Sequence, residues 1–333
     1  MDYNTTTFLA SARALRMNVV ESEIIQGFIL KFGGHNYYFF DAATPWNNST
    51  SSLIASNKFV VNRILHEAQI PVANAEMIEA KDYKIDILIQ KTKNMKFPLV
   101  VKPMLGTIRG SDVTCCIPNI DLLHQQCQTL FKTHHALQIE EYHGNLKDYR
   151  ILIFKNKIIG VVELIPAFVV GNGKDTIATL VAIKNIKRKE ISHFLKPIVF
   201  DFESTLCLEN QHYTKDSIPP KDKKVNINYT CNLSRGGSYR VVSTNMCQEN
   251  RKLFIKAAKV LNLKLVGFDI VCQSLDSPII NQNGIIIEAN YNPNIVIHRE
   301  GTDYSKNKIA LLIMREFIYK HPLSYLCSLV FKS

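Results

Sequence analysis

No CxxC pair occurs among the eight cysteines, which are irregularly spaced with Cys115 and Cys116 adjacent. A zinc site or a disulfide framework needs regular spacing, so neither is expected and the thiols read as reduced. No apolar run is long enough for a bilayer. The most apolar stretch, IIGVVELIPAFVVG at 158–171, carries Glu163 and Pro166 and is too short. The N-terminus lacks an uninterrupted apolar core followed by a small-residue cleavage pattern, so no secretory leader is expected. These absences give the expectation of a soluble, cytoplasmic protein without a membrane partner. No GxGxxG follows a strand, and the tripeptides HRD and DFG and the motif HExxH are all missing. VVGNGKDT at 169–176 fails as a Walker A loop, because Asp175 follows Lys174 and no glycine lies five residues before Gly173. A Rossmann site, an ordinary protein kinase and a zinc protease are thereby excluded.

What is present starts with length and charge. A chain of 333 residues forms two or three packed lobes. No internal repeat or low-complexity linker separates them. The formal charge of +11 favours anionic partners. Its densest basic runs, KNIKRKE at 184–190 and KDKK at 221–224, do not interleave with aromatics as a nucleic-acid platform would. They read as solvated faces, and nucleic acid is not an expected partner.

Helical periodicity marks residues 57–68, 120–132, 175–185, 250–262 and 305–321. The second of these places Ile120, Leu123, Cys127, Leu130 and Phe131 on one stripe, with Asn119 as its N-cap. Strand-length apolar runs fall at 97–102, 137–142, 149–155, 157–164, 264–272 and 283–289. Lys155-Asn156-Lys157 joins two of them as a tight hairpin. Hairpins mixed with single helices make an α+β fold rather than a regular βαβ alternation.

Polar residues cluster at the ends of these strands. Lys102 closes FPLVVKP and is followed by LGTIRGSD, a loop with Gly106 and Gly110. A lysine beside a glycine loop can hold a phosphate while backbone N–H groups cover the rest. Alone, Lys102 reads equally well as a surface lysine at a strand end. Glu140 and Glu141 end another strand and Asp148 follows a short loop; acids placed so can bond an adenine amine or ribose hydroxyls. Asp269 sits within VGFDIVC, where a carboxylate is costly unless paired or bound to metal. In IIIEANYNPN, Glu288 and Asn290 are two apart on a strand and therefore project from one face. By themselves they also suit a strand turning into a loop. Asp269, Glu288 and Asn290 together offer hard oxygen donors from two strands, which suits Mg²⁺, or Mn²⁺ in its place, and points to ATP.

From about residue 53 to 300 the chain resembles the ATP-grasp ligases, and within them the ATP-grasp portions of cyanophycin synthetase and bifunctional glutathione synthetase. The resemblance rests on the joint order of SNKFVVNRILHEAQIPV, FPLVVKP, EEY with KDYRILIF, IPAFVVGNGKDTIATLVAIKN, YTKDSIPP, CNLSRGGS, VGFDIV and IIEANYNPN. It implies an ATP-grasp fold with the nucleotide between two α+β lobes: an N-terminal segment or partial lobe at 1–55, a central lobe at 56–140 and a C-terminal lobe with the metal site at 141–325. Lys58 and Lys102 match nucleotide-binding lysines. Glu140, Glu141 and Tyr142 match the adenine hinge, and Asp148 the ribose acid. Arg150 matches an arginine near the phosphates or the substrate carboxylate, and Asp269, Glu288 and Asn290 match the magnesium ligands. Asn232, Ser234, Gly236 and Gly237 in NLSRGG match a turn that faces the reacting phosphoryl and acyl groups.

Departures accompany the match. The loop LGTIRGSDV has fewer glycines than the family's usual one. Asn228 stands where the relatives carry an arginine shortly before the NLS turn; Arg235 or Arg240 would have to take over its charge. Neither the Mur-ligase-like domain of one relative nor the glutamate-cysteine ligase domain of the other is expected within these 333 residues. The implied activity is ATP-dependent joining of a carboxylate to an amine through an acylphosphate, on an amino acid or small peptide, in a chain that can form a homo-oligomer. The rival is a nucleotide-binding regulatory protein that keeps the fold without catalysis.

Overall fold

The structure is a computed structural model that describes residues 1–105, 112–191, 195–298 and 307–330. It opens with α1 (Tyr3–Ala14), β1 (Val19–Ser22), β2 (Gly27–Phe32) and β3 (His35–Phe40), followed by α2 (Ser49–Ser56) and α3 (Lys58–Glu67). The central portion contains β4 (Ala75–Glu79), α4 (Ile85–Thr92), β5 (Leu99–Pro103), β6 (Thr114–Ile117), α5 (Ile120–Leu130) and β7 (Ala136–Glu141). Next come the hairpin β8 (Lys147–Phe154) and β9 (Lys157–Ile165), then β10 (Phe168–Val170), α6 (Ile177–Ile191), α7 (Phe202–Glu209) and β11 (Lys224–Asn226). The last elements are β12 (Ser238–Val242), α8 (Gln248–Val260), β13 (Leu265–Cys272), β14 (Ile285–Asn290), α9 (Lys308–Lys320) and α10 (Pro322–Val330). The elements read from periodicity recur within about three residues, except that α6 runs six residues beyond the reading at 175–185 and the first residues of the helix read at 305–321 lie outside the described ones. Asn119 caps α5 by accepting from the Leu122 N–H at 3.0 Å. Lys155 and Asn156 both adopt positive φ, as a two-residue hairpin turn requires.

Two larger antiparallel sheets carry most of the candidate site residues. The central one has strand order β4-β7-β5-β6, and α4 and α5 cover one face through Ile78, Leu88, Leu99, Val101, Leu123, Cys127, Leu137 and Ile139. Strand alternation turns Val100, Lys102, Gln138 and Glu140 to its other face. The second sheet has order β12-β9-β8-β13-β14. Ile151, Ile153, Val161, Val266, Phe268 and Ile270 bury one face of it against α3 and α8.

The opposite face of the second sheet is divided. One half, with Leu152, Phe154 and Leu265, lies under α1, the sheet β1-β2-β3 and α9. The other half carries Asp148, Arg150, Asp269, Glu288 and Asn290 on the same alternation. A smaller unit of β10, β11, α6 and α7 closes around Val169, Ile177, Val181, Leu208 and Val225, and α7 packs on β6. Among the described residues no helix is long and apolar enough to cross a membrane.

Candidate active site

The wall of the cleft is built on the central sheet. Lys102 on β5 and Glu140 on β7 are both buried, and Lys102 Nζ lies 2.7 Å from Glu140 Oε1. Gln138 Nε2 donates to the other carboxylate oxygen at 2.8 Å, while Gln138 Oε1 is buried without a hydrogen bond among the described residues. Glu141 points elsewhere: its Oε1 accepts from Asn74 Nδ2 at 3.1 Å and from the Lys96 N–H at 3.0 Å. The Tyr142 N–H donates to the Pro98 carbonyl at 3.0 Å, and its ring meets Tyr229 edge-on at 5.8 Å. The hinge thus has one acid facing Lys102 and one tied to the lobe behind it. Gly106 and Gly110 lie outside the described residues.

The floor is the polar half of the second sheet. Antiparallel register sets Asp269 on β13 opposite Glu288 on β14 and opposite Arg150 on β8, with Gly267 opposite Asn290. Arg150 grips Asp269 with two bonds, Nε to Oδ1 at 2.6 Å and Nη2 to Oδ2 at 2.7 Å. Such bidentate charge-assisted pairs are strong and fix geometry. Asn290 Nδ2 donates to Asp269 Oδ2 at 3.3 Å, and Lys58 Nζ stands 3.5 Å from Glu288 Oε1. Lys58 is the first residue of α3, and its N–H donates to the Met104 carbonyl beyond β5, so it joins the two lobes. Burial pushes the Asp148 carboxyl up to about 7; a hydrogen bond with Cys231 opposes this and the charge of Asp269 adds to it.

The turn Asn232–Gly237 is locked by its own bonds. Asn232 Oδ1 accepts from the Ser234 N–H at 2.9 Å and from Ser234 Oγ at 3.0 Å, and the Gly237 N–H donates to the Asn232 carbonyl at 2.9 Å. Gly236 has φ 94°, a region that side chains with a Cβ avoid, and a Cβ there would run into Ile198. Arg188 on α6 donates to the Gly237 carbonyl at 2.8 Å from behind. Arg235 pairs with both Asp201 and Glu203. Arg240 is mostly exposed and pairs with Glu163. Asn228 donates to the Arg235 carbonyl at 3.1 Å, and its own Oδ1 is buried without a partner among the described residues.

Sequence reasoning missed several members of this neighbourhood. Glu203 and Asp201 are short-range neighbours in FDFESTL, and the capping box that Asp201 forms with Ser204 was the one available signal. His298 is buried against Gly160 with neither ring nitrogen hydrogen-bonded among the described residues. Burial, helped by the Arg150 charge, lowers its pKa to about 3, so the imidazole is neutral.

Among the described residues no group of three or more His, Cys, Asp or Glu gathers as a metal cage. Two carboxylates and an amide oxygen on adjoining strands still suit Mg²⁺, which keeps waters and phosphate oxygens in its shell. The buried Lys102 and the unsatisfied Gln138 oxygen on the facing wall fit a polar, anionic ligand with a donor edge.

Two facing α+β lobes with this cleft between them define the ATP-grasp fold, and residues 55–167 match the RimK-like ATP-grasp domain. A crystal structure of a bifunctional glutathione synthetase from Pasteurella multocida matches with a TM-score of 0.62 at 23% identity, covering 96% of this chain and 44% of that one. In sequence the chain is 29% identical over 248 residues to a cyanophycin synthetase of Trichormus variabilis, covering 74% of this chain and 27% of that protein. It is 26% identical over 307 residues to the glutathione biosynthesis bifunctional protein of Desulfotalea psychrophila, covering 90% and 38%. The chain therefore spans less than half the length of each of these relatives.

Proposed function

We propose that the protein is an ATP-dependent carboxylate–amine ligase, ADP-forming, acting on an amino acid or small peptide, with lobes at 56–140 and 141–325. The observation that carries this reading is the row of Arg150, Asp269, Glu288 and Asn290 across three neighbouring strands, together with the buried Lys102–Glu140 pair. Glu140, Glu141 and Tyr142 would take the adenine, Asp148 the ribose, and Lys58 and Lys102 the phosphates. Asp269, Glu288 and Asn290 would hold Mg²⁺, which when bound neutralises phosphate charge and orients the phosphoryl group.

The barrier to joining a carboxylate to a phosphate is largely repulsion between anions, and fixed cations lower it. Arg150, beside Asp269, would supply such a cation. The Asn232–Gly237 turn, held rigid by its own hydrogen bonds, would border the reacting groups. The substrate carboxylate takes the phosphoryl group from ATP, and an amine then displaces phosphate to give the amide. Asn228 favours a second reading, nucleotide binding without turnover, because it removes a cation the relatives keep. Incubation with ATP, Mg²⁺ and a pool of amino acids and dipeptides, read by ADP release and product mass, separates the two. Substrate-dependent ADP with an amide product supports the ligase; binding without turnover supports its rival.

A further inference from the structure

Arg235 occupies a position that neither the metal face nor the hinge explains. Its side chain reaches three partners on two separate segments. One amino group pairs with Asp201, the N-cap of α7, and the other with Glu203 on the first turn of that helix. Nη1 also donates at 3.2 Å to the carbonyl of Val113, immediately before β6 of the central sheet. Glu203 is only 1% exposed and accepts three further bonds, from the Tyr229 N–H at 3.1 Å, the Thr230 N–H at 2.8 Å and Thr230 Oγ1 at 3.2 Å. Burial works against the Arg235 charge, but the two carboxylates outweigh it and hold the guanidinium above its ordinary value.

The charge count decides the role. One guanidinium facing two carboxylates has no positive charge left to offer a phosphate. What it supplies is connection between the Asn232–Gly237 turn, α7 and the exit of the loop that follows Lys102. A second set of contacts runs beside it: Asn210, just beyond α7, donates to Tyr229 Oη at 2.6 Å and lies 3.9 Å from Cys116 Sγ on β6, and Tyr229 meets the hinge residue Tyr142.

We infer that Arg235 is a positioning residue that latches the small α6–α7 unit and the Asn232–Gly237 turn onto the central lobe, keeping the cleft shut around the reacting groups. The inference rests on the ligase reading for its chemical consequence. A closed cleft keeps water from an activated carboxyl. Water taking the amine's place at the carbonyl carbon expels phosphate and regenerates the carboxylate, so ADP and phosphate appear without amide.

The test uses the full chain and two variants, Arg235→Lys, which keeps the charge but cannot span all three partners, and Glu203→Gln, which keeps acceptors for residues 229 and 230. Two quantities are read: ADP released per amide formed, and hydrogen–deuterium exchange of the nucleotide-free protein. In wild type one ADP is expected per amide. In both variants the ratio rises severalfold with little change in KM for ATP, and exchange rises together in 113–117 and 201–209. A folded variant with the wild-type ratio, and with added exchange confined to 232–237, overturns the latch. If wild type makes no amide from any substrate, the ligase reading fails, while the exchange pattern still decides whether the latch exists.

Discussion

Arg150 and Arg235 both grip carboxylates in this structure, but in opposite surroundings. Arg150 meets Asp269 one to one at the open half of a sheet, with the two side chains 19% and 18% exposed. Beside them Glu288 is matched by Lys58. Each carboxylate there has a cation that a bound metal could replace, and each cation so released would meet phosphate. Arg235 serves two carboxylates at once, one of them fully buried, and every Glu203 oxygen has a hydrogen-bond donor. A balanced pair at a cleft can exchange partners; an over-committed buried one holds segments together.

That contrast breaks most visibly in stability. Arg235→Met leaves Glu203 buried and unpaired, and urea unfolding should show a loss of about 3–5 kcal/mol. Arg150→Met, which leaves behind the less buried carboxylate of Asp269, should lose clearly less, and equal losses would erase the distinction. Activity should respond the other way round. Glu288→Ala is expected to slow amide synthesis about 10²-fold or more with only a small shift of the unfolding midpoint, since Glu288 is a third exposed and its contact with Lys58 is long.

Asp148 sharpens the comparison through pH. Its folded pKa of about 7 lies above the ordinary 3.8, so the native state binds the extra proton between those values. The stability it contributes is complete below about pH 4 and is lost as pH rises through 7. Asp148→Asn should therefore flatten the stability profile between pH 4 and 8, and an unchanged slope in that window would assign the dependence to other groups. The smallest effect expected is that of Asn232→Ala. Removing the side chain that accepts from Ser234 should cost about 0.5–1 kcal/mol, read as a small shift in the urea midpoint.

The polar half of the sheet was legible in the sequence because its logic is local. Glu288 and Asn290 share a face by strand alternation, and the carboxylate of Asp269 amid apolar residues demanded a partner, which proved to be Arg150 on the next strand. The hairpin at Lys155-Asn156 and the α5 cap were legible for the same reason. The Arg235 network was not, since Glu203 is 32 residues away and Val113 is 122, and nothing local ties an arginine to either. Strands β6, β10, β11 and β12 run only 3–5 residues, too few for alternation to stand out. The three-stranded sheet of β1, β2 and β3 escaped because its apolar side is completed by α9, nearly 300 residues later in the chain.

Asp269, Glu288 and Asn290 are proposed to form the metal–nucleotide face of the protein. Calorimetric titration of ATP into wild type and Glu288→Ala, each with and without Mg²⁺, tests this most directly. Mg²⁺ should tighten ATP binding to wild type about tenfold or more, while Glu288→Ala keeps metal-free binding and loses that gain. Equal Mg²⁺ dependence in the two proteins would contradict the assignment.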